Sequence, residues 1–430
     1  MLLVSRAGGR CAIGVLAIVS IAVTANAAPS PPDSVAAVSG PLTYERALEL
    51  TSQHELRLRA AGLRAEASRA RIADANRRPD PTLLASEENF GGQLGSNHRE
   101  GTLALGQTFE LGGDRSARRA AADAEYNRSL ADVALLGREG QATTADRFIS
   151  VWAMQTRVAR LREGEAVTQV AIRAATERHA AGAALRLEIL RAESQAMSQA
   201  VERQRAESAL AIARRNLALR WGATEATFDS LVGPDHLFNW NDSTAAHSKL
   251  ATHPDILRAS ADEAVAAARI HGAAAARTPD LTVSGGVRRL EEVSGTGFIV
   301  GVELPIPLWS RGNGAITAAR RDLDAAVVER RATEQQLQSA LASAIERVRA
   351  ASAAYDTLRM RLVPGREQLV DELLRSYRSG RSSYLDLVAE QRNLLDAELA
   401  LVDAQADLWR AEAQLTFLTG SDVLTPKEER

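Results

Sequence analysis

Ser376–Leu395 reads SYRSGRSSYLDLVAEQRNLL, a glycine turn between two long helical runs, and so the tip of a helical hairpin. Arg178–Glu193, RHAAGAALRLEILRAE, repeats it. Gly182 aligns with Gly380, Leu187 with Leu385, Glu188 with Asp386 and Ile189 with Leu387, each 198 positions apart. The same offset links Leu217 to Leu415 and Gly222 to Gly420. A duplication on this scale sets the architecture ahead of any local reading. Two copies of one long hairpin account for nearly the whole chain, residues 42–222 and 245–420, with a linker at 223–244 and a tail at 421–430.

Each copy has the same inner order. In the first, Leu42–Arg77 reads as a helix with Thr43 as its cap, and it stops at Arg78-Pro79-Asp80-Pro81. Strand candidates Thr82–Phe90 and Thr102–Leu111 follow, spanning 82–111 around a polar loop, Gly91–Arg99. Gly112-Gly113-Asp114 then opens a helix expected to run without a break to Arg178, roughly 95 Å at 1.5 Å per residue. After the Gly182 turn, Leu185–Arg220 returns as a helix about half as long. In the second copy, Thr278-Pro279-Asp280 ends the short helix. Strand candidates Leu281–Leu290 and Gly297–Pro307 cover 281–307, and a helix from Gly314 to Arg378 is expected to kink at Pro364-Gly365.

Helical periodicity supports a wall of helices and not a globule. Val151, Met154, Val158 and Leu161 keep heptad spacing, and Leu337, Leu341, Ala344, Val348, Ala351, Tyr355, Leu358 and Leu362 predict one continuous seam. The last helix carries two adjacent apolar columns. Leu387, Leu394, Leu401, Leu408 and Leu415 form one, and Val388, Leu395, Val402 and Trp409 the other, so it packs on two neighbours. Two short helices laid end to end match one long helix in length, which predicts two long and four short helices per chain. Aromatic residues make up only 4% of the sequence.

The strands alternate with a period of two. Leu103, Leu105, Gln107, Phe109 and Leu111 share one face, and Phe298, Val300, Val302, Leu304 and Ile306 do the same in the second copy. Small or polar residues occupy the opposite faces. Segments near ten residues suffice to cross a bilayer as tilted strands. Four strands are too few to close a barrel, and an open sheet leaves edges unpaired in hydrocarbon, so several chains are expected to share one barrel.

The amino terminus reads as an export signal. Basic Arg6 and Arg10, an apolar run Cys11–Val23 and small residues to Ala27 predict residues 1–27 as a leader, followed by an extended arm at 28–41. The single cysteine, Cys11, lies inside that leader, so the exported chain is expected to hold no disulfide and no N-terminal lipid anchor. A net charge of −2 gives no field for nucleic acid, and none is expected as a partner.

These features together resemble the TolC family of trimeric outer-membrane efflux channels. The resemblance is carried by the duplication, Pro279-Asp280 before a strand pair, Leu304-Pro305-Ile306-Pro307-Leu308-Trp309 before a helix, and Tyr377-x-x-Gly380 followed by Leu385-Asp386-Leu387. Glu88-Asn89-Phe90-Gly91-Gly92 and Phe109-Glu110-Leu111-Gly112-Gly113-Asp114-Arg115 resemble its cobalt–zinc–cadmium branch. The resemblance implies a mainly α chain with a small transmembrane β part. Its duplicated hairpins would form a periplasmic tunnel, and its four strands would join a homotrimeric twelve-stranded barrel in outer-membrane lipid. It implies loops 91–99 and 291–296 facing outward and a periplasmic adaptor docking at tips built from Gly182, Leu187, Tyr377, Gly380, Arg381 and Leu385. It implies an inner-membrane pump of the RND type as the source of energy. Asp386 falls on a position where such channels carry acidic side chains around a narrow gate, and Glu188 is its repeat partner. Ala389 stands where some relatives have a second acid.

Enzyme chemistry is not expected. The seven histidines form no helical pair and meet no cysteine, and no nucleophile–base pair or phosphate loop is present. No cofactor or bound metal follows from the sequence. A multidrug or type I secretion channel of the same fold is the alternative reading. A periplasmic adaptor would show one hairpin flanked by β domains, and a soluble coiled coil would leave the leader and the strands without a purpose.

Overall fold

A computed structural model describes residues 40–89, 99–233, 248–291, 294–308 and 312–420. The leader, most of the arm, most of loop 91–99, residues 234–244 of the linker, Trp309 and the 421–430 tail lie outside the described residues, as do Phe90, Gly91 and Gly92 of the first branch motif.

Helices dominate. In chain order the elements are α1 (Tyr44–His54), α2 (Leu56–Ala75), β1 (Thr82–Glu88), β2 (Glu100–Phe109), α3 (Asp114–Ala180) and α4 (Arg186–Ala218). The second set is α5 (Pro254–Ala275), β3 (Leu281–Leu290), β4 (Gly295–Glu303), α6 (Asn313–Thr357), α7 (Val363–Arg378) and α8 (Tyr384–Thr419). The 67 residues of α3 span about 100 Å. Against it lie α1, α2, α4, α5 and α8, while α6 packs on α5 and α8. Alanine fills much of the packing: Ala124 meets Val265 and Ala268, and Ala206 meets Val158, Leu161, Leu395 and Leu399. Small side chains let helix axes approach closely, which suits a wall with little interior to fill.

Two expected helices are interrupted. The run expected from Leu42 to Arg77 breaks at Glu55, whose backbone is extended (φ −67°, ψ 114°). The break lets the Glu55 carboxylate meet Arg220, in the 3-10 turn Leu219–Trp221 just after α4, at 2.6 Å. Arg220 also reaches the Gly140 carbonyl (3.4 Å) and the Thr144 hydroxyl (3.3 Å) on α3, and Thr144 bonds Thr51 at 3.0 Å. One guanidinium thus fastens three helices where the short ones meet. In the second copy the corresponding joint is aromatic. Buried His253 caps α5 by accepting from Asp255 N–H (3.2 Å), and its ring stands edge-on to Phe417 at 5.4 Å. Burial holds this imidazole below its ordinary pKa, in keeping with a neutral ring whose Nδ1 accepts.

The second interruption corrects the predicted seam. Leu337, Leu341, Ala344 and Val348 are buried as the heptads require, but the stripe does not continue to Leu362. A π-helical turn occupies Leu358–Leu362, one residue ahead of Pro364, a residue without an amide to donate. Its extra residue rotates the face that follows, so Leu362 is 40% exposed while Val363 and Val370 turn inward.

The strands form one antiparallel sheet in the order β1-β2-β3-β4. Pairing is continuous, with Leu103 opposite Ala85 and Val287, and Val287 opposite Phe298. β4 stops at Glu303, ahead of Pro305 and Pro307, and β1 stops at Glu88, so both are shorter than expected. β2 begins two residues early, at Glu100, and ends at Phe109. One face is open and apolar: Phe298 is 92% exposed, Val300 81% and Leu83 71%. The opposite face is crowded, with Thr102 and Ala104 buried. A Cβ on Gly286 would lie 2.6 Å from the Ala104 Cα, and one on Gly301 would lie 2.6 Å from the Ser284 hydroxyl. On the apolar face Gly101 and Gly285 face open space. The sheet therefore curls with its small residues on the concave side and its apolar residues on the convex side.

The Glu55–Arg220 joint yields a stability prediction. Arg220→Ala strands a carboxylate in a site where Glu55 is 10% exposed, and is expected to cost about 3 kcal/mol. Arg220→Met combined with Glu55→Leu should recover most of that loss. Thermal denaturation of both variants checks it; equal destabilisation would show that the pair does not carry the joint.

Candidate functional site at the paired hairpin tips

Both long hairpins reverse with the same backbone device. Gly182 (φ +69°) and Gly380 (φ +78°) adopt the left-handed conformation that follows a helix end. Around them Ala183 N–H donates to the Arg178 carbonyl (2.8 Å) and Arg381 N–H to the Ser376 carbonyl (2.9 Å), the same six-residue closure in each copy. Any side chain at either glycine would be strained.

The two tips pack on each other. Ala171, Ala174, Ala175 and Ala192 from the first hairpin share a cluster with Tyr377, Tyr384 and Leu387 from the second. Tyr377 is fully buried, with its ring 5.8 Å from that of Tyr384. The Arg178 guanidinium lies 4.4 Å over the Tyr377 ring, donates to the Tyr377 carbonyl, and reaches the Ala183 carbonyl at 3.1 Å. The Tyr377 hydroxyl donates to the Glu188 carboxylate at 2.9 Å. Burial first, and then this bond to Glu188, raise the pKa of the Tyr377 phenol, so it stays protonated and able to donate. Burial pushes Tyr384 up to about 12.

Glu188 and Asp386 occupy matching repeat positions but have different surroundings. Glu188 is half-buried and tied to the other hairpin through Tyr377. Asp386 is exposed and closes a capping box: its carboxylate accepts from the Ser383 N–H at 3.4 Å and hydroxyl at 2.7 Å, and its N–H donates to that hydroxyl at 3.2 Å. Leu187 and Leu385 are exposed, beside exposed Leu185 and Leu190. Arg381 is exposed and donates to the Ser379 hydroxyl at 3.0 Å.

Sequence reasoning missed three members of this region. Arg178 lies in the quoted repeat but carries no distinguishing spacing. The other two form a pair one turn beyond the tip, where buried Glu390 accepts two bonds from Arg366, at 2.6 and 2.8 Å, and one from Asn393 at 3.1 Å. Burial alone would raise the Glu390 pKa, but these donors outweigh it and hold the carboxyl below its usual range. A glutamate one turn from the apolar columns of α8 carried no signal of this pairing in the sequence. Among the described residues no group of three or more acidic, histidine or cysteine side chains is placed to hold a metal ion.

Comparison with known proteins adds to this geometry. The profile described as "Outer membrane efflux protein" matches residues 245–421. The chain is 28% identical over 386 residues to the cobalt-zinc-cadmium resistance protein CzcC of Cupriavidus metallidurans, covering 89% of this chain and 91% of that protein. It is 26% identical to the nickel-cobalt-cadmium resistance protein NccC of Alcaligenes xylosoxydans xylosoxydans, covering 84% of this chain and 74% of that one. Among solved structures, CusC superposes with a TM-score of 0.77 at 18% identity, covering 87% of this chain and 91% of that one.

Removing one hydroxyl tests the link between the tips. Tyr377→Phe keeps the ring packing but leaves Glu188 without its donor, at a local cost of roughly 2 kcal/mol. Hydrogen exchange at residues 178–192 should quicken about thirtyfold while the strand amides stay unchanged. An unchanged tip would mean that the hydroxyl does not join the hairpins.

Proposed function

We infer, from the membership of this chain in the outer-membrane efflux protein family, seen over residues 245–421, that it is the outer-membrane duct of a three-part efflux system. Its cargo is divalent heavy-metal cations. The observation that carries the duct is the curled sheet, with a convex face suited to lipid, joined directly to long helices, one of them about 100 Å. The cargo follows from the likeness to CzcC and NccC along most of the chain.

The open edges of the sheet are β1 and β4. In hydrocarbon their unpaired amides and carbonyls require partners. Three copies, each pairing β4 with the next copy's β1, give a closed barrel of twelve strands, and the helices continue it as a tunnel. The duct is passive, driven by an inner-membrane pump of the RND type through a periplasmic adaptor. The adaptor docks on the exposed tip, where Leu187, Leu385 and Arg381 surround the Gly182 and Gly380 turns. Asp386 contributes the acidic ring of the gate, as rings of carboxylates favour cations. Glu188 acts with it by holding the two hairpins together through Tyr377.

Growth of a deletion strain on cobalt, zinc, cadmium, nickel, copper and silver, with organic drugs and dyes alongside, tests the cargo. Sensitisation to divalent metals alone is expected. Sensitisation to drugs alone would discard the metal cargo and leave the duct.

The gate is read in planar lipid bilayers. Asp386→Ala combined with Glu188→Ala should raise single-channel conductance and weaken cation preference. If neither changes, these carboxylates do not form the gate.

A further inference from the structure

The convex face of the sheet is banded. Cross-strand pairing sets Leu83, Leu105, Gly285 and Val300 in one row and Ala85, Leu103, Val287 and Phe298 in the next. The following row, further from the helices, is Glu87, Gly101, Arg289 and Thr296, the first to carry charge. Gly101 has no side chain, and a Cβ there would meet nothing within 4 Å. Beside it lies an open notch of about 470 Å³. Ala85, Leu103 and Val287 line its apolar part, and Glu87, Arg289 and Thr296 its rim.

The charges around the notch are unevenly matched. Glu87 is answered by Arg99 at 3.4 Å. Arg288, on the opposite face, is answered by Glu100 at 3.3 Å and by the Thr102 hydroxyl at 3.0 Å. The Arg289 side chain has no hydrogen-bond or ion-pair partner among the described residues, and it is exposed. An unmatched guanidinium therefore stands over an apolar recess at the outer margin of the apolar band. β2 and β3 are the middle strands, so pairing at the edges of the sheet leaves the notch uncovered.

We propose that this notch binds a phosphorylated lipid of the outer leaflet, with the phosphate on Arg289 and an acyl chain laid along Leu103 and Val287. A planar guanidinium presents paired donors that match phosphate oxygens, and the recess gives the chain apolar surface that water would otherwise cover. A free anion would satisfy only the rim and not the recess, which is why the lipid is favoured over inorganic phosphate. The proposal rests on the outer-membrane reading of the sheet.

The test measures binding of fluorescent lipopolysaccharide to the full-length protein in neutral detergent. Arg289→Gln should weaken binding about tenfold, the loss expected for a charge-assisted contact, and Arg289→Lys should keep part of it. Gly101→Leu, which projects a side chain into the notch and leaves Arg289 in place, should weaken it as well. Enzymatic removal of the lipid's phosphates should reduce wild-type binding to the level of Arg289→Gln. Equal affinity of wild type and Arg289→Gln would overturn the proposal, and so would complete competition by millimolar inorganic phosphate. A wild-type protein that stays in solution without detergent and associates with no lipid vesicle would instead sink the outer-membrane reading itself.

Discussion

Hydrocarbon offers no partner for a backbone amide, and a four-stranded sheet has two edges full of them. The strands run from proline-bounded helix ends, curl because Gly106, Gly286 and Gly301 leave room on the concave side, and turn their apolar residues outward. Each of these features fits the proposed placement in lipid if the edges find partners, which identical chains would supply at no cost in specificity. Curvature and face polarity are thus two aspects of one requirement. A flat sheet could not close, and a sheet with its apolar face inside would present polar groups to lipid.

Below the sheet the constraint changes from pairing to thinness. A wall of helices has two exposed sides and little interior, so its stability depends on close axis-to-axis contact through alanine and on polar fasteners at the joints. The Glu55–Arg220 pair is one fastener and the His253–Phe417 contact is its counterpart, ionic in one copy and aromatic in the other. The π turn before Pro364 has a similar logic. A proline inside a long helix forfeits a hydrogen bond, and a widened turn absorbs the defect while re-aiming the following face.

The tips show how duplicated positions come to differ. Glu188 and Asp386 share a place in the repeat, yet one accepts a bond from a buried tyrosine and the other caps its own helix. Tyr377 makes the difference. Its counterpart 198 residues earlier is His179, which bonds the nearby Ala184 carbonyl instead of reaching across. Of the two acidic positions only Glu188 therefore takes part in the contact between the hairpins, alongside the Arg178–Tyr377 contact.

Much of this protein follows from local pattern alone. Glycine turns, proline stops, period-two strands and heptad columns each depend on a few neighbouring residues, and the backbone requirements behind them hold in any surroundings. The apolar face of the strands and the paired columns of α8, with Leu395, Val402 and Trp409 buried, were legible for that reason. Contacts between distant residues were not. Glu55, where the helix breaks, meets Arg220 across 165 positions. Tyr377 meets Glu188 across 189 positions. The notch beneath Arg289 depends on the register that brings Gly101 beside it. In each case local propensity permits several outcomes, and the choice is made by a partner whose position only the packed structure provides.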